Sequence, residues 1–265
     1  MKGKVYLVGA GPGNPELLTI RAFKILKIAD IVLHDELVSP EVLAFVSTSA
    51  QILEVGKRCG RKKMSQQRIN ALLIESALMG MSVVRLKGGD PLIFARAGEE
   101  IEALRAANIE VEIVPGITAA LGAAASAGIP LTHRGISSTL VFLSGHHAGN
   151  PEGIDWPEKL PANATLAIYM PGYEYEDTAQ QLICRGISGN TPCAVISRAT
   201  SKDEAVHLTK LRDLPHSPRL PSPTLLVVGE VVRLDQQFVP AFNQLIAMAA
   251  RASAPEHHAG EELAL

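Results

Sequence analysis

The first half of the chain alternates short aliphatic runs with amphipathic stretches. Val5–Val8, Ile31–Leu33, Gln51–Val55, Ser82–Leu86 and Glu110–Val114 are runs of strand length. Between them, Leu18, Phe23, Ile25 and Leu26 predict a helix from about Pro15 to Ala29, and Pro40–Val46 predicts a short one. Ser65–Met79 places Ile69, Leu72, Leu73 and Ala77 near the 3.6-residue period, and Ala95–Ala107 predicts a further helix. Strand–helix alternation of this kind predicts parallel pairing with helices on both sheet faces.

The pattern changes at Pro115-Gly116. Thr118–Ala127 is dominated by alanine, with Gly122, and predicts a helix of small residues that packs closely; Ile129–Gly135 is irregular. Thr139–Ser144, Leu166–Tyr169, Cys193–Ser197, Ala205–Leu208 and Thr224–Val228 follow as strands, with a helix near Glu176–Ile187. Two strands adjacent late in the chain predict a mixed second sheet. The expected organisation is an N-terminal α/β domain over 1–116, a linking region over 117–136 and a C-terminal α/β domain over 137–243. The tail, 244–265, is small and charged, which predicts partial disorder.

Composition narrows the function classes. Apolar residues make up 47% of the 265, enough for a large core, and the 4% of aromatics makes that core aliphatic. A net charge of −2 excludes the broad basic face of a nucleic-acid binder, though not a local basic pocket. No apolar run reaches membrane-spanning length and no signal-peptide pattern is present, so a cytoplasmic protein is expected. Cys59, Cys184 and Cys193 are odd in number, widely spread and without metal-ligand spacing. They read as reduced and mostly structural, with Cys59 the most exposed. His146-His147 would face opposite ways on a strand, with no third ligand, so no metal site is expected.

Three strand-to-helix turns carry the candidate chemistry. Gly9-Ala10-Gly11-Pro12-Gly13 approximates a dinucleotide fingerprint, but Asn14 stands where that motif needs glycine, and Pro12 removes an amide that could meet phosphate. Asn14-Pro15-Glu16 is suited to start a helix: a capping side chain, a proline at the first position and an acid at the positive end. Leu86-Lys87-Gly88-Gly89-Asp90-Pro91 allows close backbone approach, and its acid suits hydroxyls or a cation rather than phosphate; Asp90 could equally cap the next segment. At Val114-Pro115-Gly116-Ile117-Thr118-Ala119, free amides and the Thr118 hydroxyl suit a carboxylate, or simply cap a helix. Three such turns favour one shared crevice.

These segments, with Gly128-Ile129-Pro130-Leu131-Thr132-His133-Arg134, resemble the tetrapyrrole (class III) methyltransferases. In order and spacing, over about residues 4–235, they are most similar to the branch that methylates uroporphyrinogen III. Asp35 before Leu37-Val38-Ser39, Val55-Gly56-Lys57-Arg58, Tyr169-Met170 and Val227–Val232 belong to the same resemblance. It implies a two-domain α/β fold, with a mostly parallel N-terminal sheet, a mixed C-terminal sheet and a cleft between them, usually in a homodimer. It implies methyl transfer from S-adenosylmethionine to C2 and then C7 of uroporphyrinogen III, giving precorrin-2 by way of precorrin-1, with S-adenosylhomocysteine as the other product. Precorrin-2 would feed sirohaem, cobalamin or haem d1. The implied cofactor contacts are Pro12, Gly88, Gly89, Asp90, Ile93, Thr118, Ala119, Met170, Ala199 and Val227. Asp35 matches the usual proton acceptor and Lys57 the usual proton donor, while Arg96 and Glu99 match a substrate-side pair.

The chemistry fits these assignments unequally. Arginine is a poor base, so Arg96 is better read as an anchor for a substrate carboxylate. The charges of Lys57, Arg58, Arg61, Lys62 and Lys63 would attract a polyanionic substrate locally. The chain departs from the family pattern at Asn14, at His34 and Glu36 around Asp35, at Ala95 and Ala97 around Arg96, at Ala125-Ser126, and at Pro171-Gly172 after Met170. Most of these fall on the substrate side. The competing readings are a later precorrin methyltransferase, a nucleotide-binding oxidoreductase, which Asn14 disfavours, and a sensor that binds S-adenosylmethionine without turning it over. The Asn14 cap is testable by itself: Asn14→Ala should cost roughly 1 kcal/mol. An unchanged thermal midpoint would remove the cap.

Overall fold

The computed structural model describes residues 2–56, 64–145, 156–172 and 175–234. Lys57, Cys59 and the rest of the basic loop, His146-His147, and the tail lie outside these. The described residues form two five-stranded sheets. The first contains β1 (Lys4–Gly9), β2 (Ile31–His34), β3 (Gln51–Glu54), β4 (Ser82–Lys87) and β5 (Glu110–Val114) in the order β3-β2-β4-β1-β5. Every pairing in it is parallel. The second contains β6 (Thr139–Ser144), β7 (Ala164–Tyr169), β8 (Pro192–Ser197), β9 (Ala205–Lys210) and β10 (Thr224–Val228) in the order β6-β7-β10-β8-β9. There β6 and β7 are parallel and the remaining pairs antiparallel, the mixed sheet expected.

Side-chain alternation sorts the helices onto faces. In the first sheet, Val8, Val84 and Leu86 meet α1 (Ile20–Leu26) and α2 (Pro40–Leu43). Val5, Leu7 and Val83 meet α3 (Gln66–Leu78) and α4 (Ala97–Ala106) on the opposite face. In the second sheet, Ala167, Ile196, Leu225 and Val227 pack under α5 (Ala119–Ser126), and Leu166, Val195 and Leu226 pack under α6 (Tyr175–Cys184). The alanine-rich segment thus forms the helix expected of it and covers the second sheet. None of the described helices is long and apolar enough to cross a membrane.

The helices α2 and α6 end three residues earlier than expected, at Leu43 and Cys184, and two others differ at their starts. The one expected from Pro15 to Ala29 is broken: a 3-10 turn at Pro15–Leu17 ends in extended Leu18 and Thr19, and the Thr19 side chain caps α1 by accepting from the Ala22 amide. An internal threonine that caps restarts the helix instead of continuing it. Asn14 caps the 3-10 turn as expected, its side chain accepting from the Glu16 amide at 2.9 Å. The helix expected from Ala95 begins at Ala97, because Phe94 and Arg96 have φ of 52° and 57°.

The carboxyl ends of β1, β4 and β5 meet through glycine backbone. The Ala10 amide donates to the Lys87 carbonyl at 2.8 Å, and Gly11 and Gly89 exchange backbone bonds of 3.2 and 2.7 Å. A Cβ on Gly9 would lie 2.6 Å from both the Gly89 oxygen and the Gly116 Cα. A Cβ on Gly116 would lie 2.8 Å from the Gly9 Cα and closer still to the Gly89 oxygen. All of these neighbours are backbone and cannot swing aside. Gly116→Ala should therefore overpack the seam and cost about 1–3 kcal/mol. A urea midpoint equal to wild type would show that the strand ends separate freely.

Candidate active site

The seam forms the floor of a cleft of about 230 Å³ between the two sheets. Gly11, Pro12, Asp35, Gly88, Gly89 and Asp90 come from strand ends of the first sheet, where parallel α/β sheets place ligands. Ile93, Phe94 and Ala95 form a side wall, and Thr118 and Ala119 open α5. Tyr169, Met170, Ile196, Ala199, Thr224 and Leu225 close the cleft from the second sheet. The cofactor positions implied by the sequence therefore converge here, except Val227. Val227 is fully buried under α5, and Leu225, two residues earlier on the same face of β10, reaches the cleft instead.

Several cleft groups also hold the site together. Asp90 accepts from the Leu92 amide at 2.8 Å and from the Gly116 amide at 3.1 Å, so its carboxylate clasps two loops while lining the cleft. The Thr118 hydroxyl is 2.7 Å from the Tyr169 hydroxyl, which also accepts from the Ala120 amide at 3.2 Å. Two polar groups at the start of α5 are thus taken by Tyr169, which the sequence placed next to a contact residue without giving it a role. Burial raises the Tyr169 phenol above its usual pKa, against the hydrogen bond from Thr118, so the hydroxyl stays protonated. Pro12 docks against the glycine of α5: a Cβ on Gly122 would meet the Pro12 ring at 2.5 Å. Asn14 donates its amide to Thr200 Oγ1 at 3.1 Å, a second tie between the sheets.

Among the described residues the lining contains two carboxylates, Asp35 and Asp90, and no lysine, arginine or histidine. Its walls are otherwise apolar side chains and backbone, with the hydroxyl-bearing Thr118, Tyr169 and Thr224. A phosphate would find no cation among the described lining residues, whereas a cationic ligand is electrostatically matched. A second depression, about 530 Å³, lies across Pro12 and is lined by Asn14, Glu36, Ser39, Arg198, Lys202 and Asp203 among others. Glu36, one of the departures from the family pattern, faces this side.

Beneath Asp35 lies a buried charge network that the sequence reading missed. Arg85 donates through one terminal nitrogen to Asp35 Oδ1 and through Nε to Glu100 Oε1 at 3.0 Å. Its remaining nitrogen reaches the Leu33 and Leu86 carbonyls at 3.4 and 3.3 Å. Lys87 donates to both Glu100 oxygens at 3.0 and 3.1 Å, and Gln66 donates to Oε1 at 3.1 Å. Burial, then the neighbouring Arg85, lowers the Lys87 pKa. Burial alone would lower that of Arg85 too, but Asp35 and Glu100 outweigh it and raise it. The available signal was the alternation of Arg85 and Lys87 in an otherwise aliphatic strand.

Arg96 and Glu99 lie beside the lining residue Ala95 and grip each other, Nε to Oε1 at 2.7 Å and a terminal nitrogen to Oε2 at 2.8 Å. That hydrogen bond raises the Arg96 pKa and lowers that of Glu99. His34 is buried, with Nδ1 3.0 Å from the Asp35 carbonyl oxygen, and does not line the cleft.

Residues 4–215 match the model of the tetrapyrrole (corrin/porphyrin) methylases. The chain is 47% identical over 237 residues to siroheme synthase 1 of Serratia proteamaculans, covering 89% of this chain and 50% of that protein. It thus spans about half the length of the curated relatives it matches. Among solved structures, a uroporphyrin-III C-methyltransferase from Thermus thermophilus superposes with a TM-score of 0.76 at 43% identity, covering 89% of this chain and 96% of that one. A Thermus thermophilus structure of the same name, complexed with S-adenyl homocysteine, gives 0.75 at 37% identity, with 88% and 100% covered. With this architecture, these converging strand ends and a family match over most of its length, the chain belongs to the tetrapyrrole methylases.

Proposed function

We propose that this protein transfers methyl groups from S-adenosylmethionine to C2 and C7 of uroporphyrinogen III, giving precorrin-2. The observation that carries the reading is the cleft itself: two carboxylates, no cation among the described lining residues and a glycine floor, at the site where the sheets meet. Its chemistry fits a ligand bearing a sulfonium and an ammonium and disfavours a dinucleotide. When bound, S-adenosylmethionine supplies a methyl group already activated by its sulfonium, which leaves the protein mainly a positioning task.

The chain's own residues divide that task. Gly88 and Gly89 offer backbone without side-chain obstruction, and Asp90 sets a negative charge beside them. Pro12, Ile93, Ala119, Met170 and Ala199 give apolar contact, and Thr118 sits at the start of α5. Methylation of a pyrrole carbon leaves positive charge on the macrocycle, which is discharged when a carbon-bound proton departs. Asp35 accepts that proton at the cleft floor, and Lys57 acts as donor. Arg96 binds a substrate carboxylate by exchanging its Glu99 partner for the ligand, since a guanidinium fork suits either carboxylate equally. A homodimeric assembly, a cytoplasmic location and a tetrapyrrole as small-molecule partner belong to the same reading.

Anaerobic incubation with S-adenosylmethionine and uroporphyrinogen III should add two methyl groups and give a dipyrrocorphin absorbance, or sirohydrochlorin after oxidation. Binding of S-adenosylhomocysteine without methyl transfer would indicate a sensor or another tetrapyrrole. Asp35→Asn should lower kcat by about 10²–10⁴-fold, the usual worth of a positioned base, while S-adenosylhomocysteine still binds. Wild-type turnover would rule out an essential base. Arg96→Ala should raise the substrate KM by about tenfold or more, as loss of a charged hydrogen bond does, and leave the S-adenosylhomocysteine Kd unchanged. Equal effects on both would defeat the anchor role.

A further inference from the structure

Arg85 and Lys87 occupy alternate positions on the face of β4 that α4 covers, a face otherwise built from residues such as Val83, Leu7 and Leu33. Arg85 pairs in register with Leu7 on one side and Leu33 on the other, so it sits mid-sheet. The Arg85 and Lys87 side chains are each 3% exposed and that of Glu100 is 0%. Glu100 shares the buried face of α4 with Ala97 and Leu104, where an aliphatic residue would serve packing. Buried ion pairs rarely stabilise a fold more than well-packed apolar side chains do, so this group calls for a reason other than stability.

Its geometry supplies one. Two carbonyls and Glu100 fix the plane of the Arg85 guanidinium, and Lys87 and Gln66 in turn fix Glu100. The outermost nitrogen of that rigid fork holds Oδ1 of Asp35, whose side chain is 30% exposed and lines the cleft. Among the described residues no hydrogen bond engages Oδ2. Two positive and two negative charges balance within the network.

We infer that Arg85 is a positioning residue for the methyl-transfer reaction: it fixes one oxygen of Asp35 so that the other faces the substrate, with Glu100 and Lys87 as its brace. This rests on the reading of Asp35 as the proton acceptor. The proton passes from a macrocycle carbon to Asp35 Oδ2, and Arg85 exchanges none.

A double-mutant cycle on the full-length chain, read by single-turnover transfer of labelled methyl groups, tests the inference. Arg85→Met should lower kcat at least about tenfold, yet change the rate less than about twofold in the Asp35→Asn background, because its effect runs through Asp35. The S-adenosylhomocysteine Kd should stay within about threefold of wild type. An equal loss in both backgrounds overturns the inference, as does a loss of S-adenosylhomocysteine affinity that matches the loss of kcat; the second comparison decides if the double variant falls below detection. Wild-type turnover by Asp35→Asn alone instead removes the base, and the inference with it. Should Arg85→Met not fold, Arg85→Lys keeps the charge but cannot bridge Asp35 and Glu100 together, and the same pattern is expected.

Discussion

The backbone contact of Gly9, Gly89 and Gly116 is the constraint on which the rest of the molecule depends. At Gly9 and Gly116, β1 and β5 end so close to each other and to the Gly89 oxygen that neither glycine could carry a Cβ. The contact makes three separate loops into one surface, and Asp90 fastens that surface by accepting the Gly116 amide. Pro12 leaves the seam to rest on Gly122 of α5, and α5 covers the second sheet. The relative position of the two sheets thus traces back to small residues at strand ends, and the cleft is the space they leave.

The electrostatics of that space follow from what is buried around it. Among the described residues the lining offers carboxylates without cations. The compensating positive charges, Arg85 and Lys87, lie one layer down and are committed to Glu100 and Asp35. A ligand in the cleft therefore meets the acids and not their counter-charges. Under the proposed function, the same arrangement would separate the two ligands by chemistry: the cationic methyl donor suits the acidic cleft, while the guanidinium groups suited to an anionic macrocycle, Arg96 and Arg198, stand outside its lining.

Much of this was legible in the sequence because strand alternation and turn chemistry are local. The ten strands and the parallel-then-mixed arrangement follow from short aliphatic runs and from where helices intervene. The break after Leu17 was not legible, because Thr19 falls within a helical apolar pattern and declares itself as a cap only through its backbone geometry. Arg85 escaped notice because a charge in an aliphatic run reads as a surface position until both faces of the sheet are seen to be covered, and Glu100 because an acid in the first turn of a charged helix reads as a solvent-facing partner of the helix dipole. Val227 and Leu225 share a strand face, so alternation does not separate them, and only the placement of α5 tells which of them reaches the cleft.

Two depressions share Pro12, and the account depends on which of them holds the methyl donor. A crystal structure of the chain with S-adenosylhomocysteine tests this most directly. The ligand is expected on the seam, against Gly88, Gly89 and Asp90, with its sulfur on the side of the cleft that Asp35 lines. Ligand density across Pro12, among Asn14, Ser39 and Lys202, would contradict it.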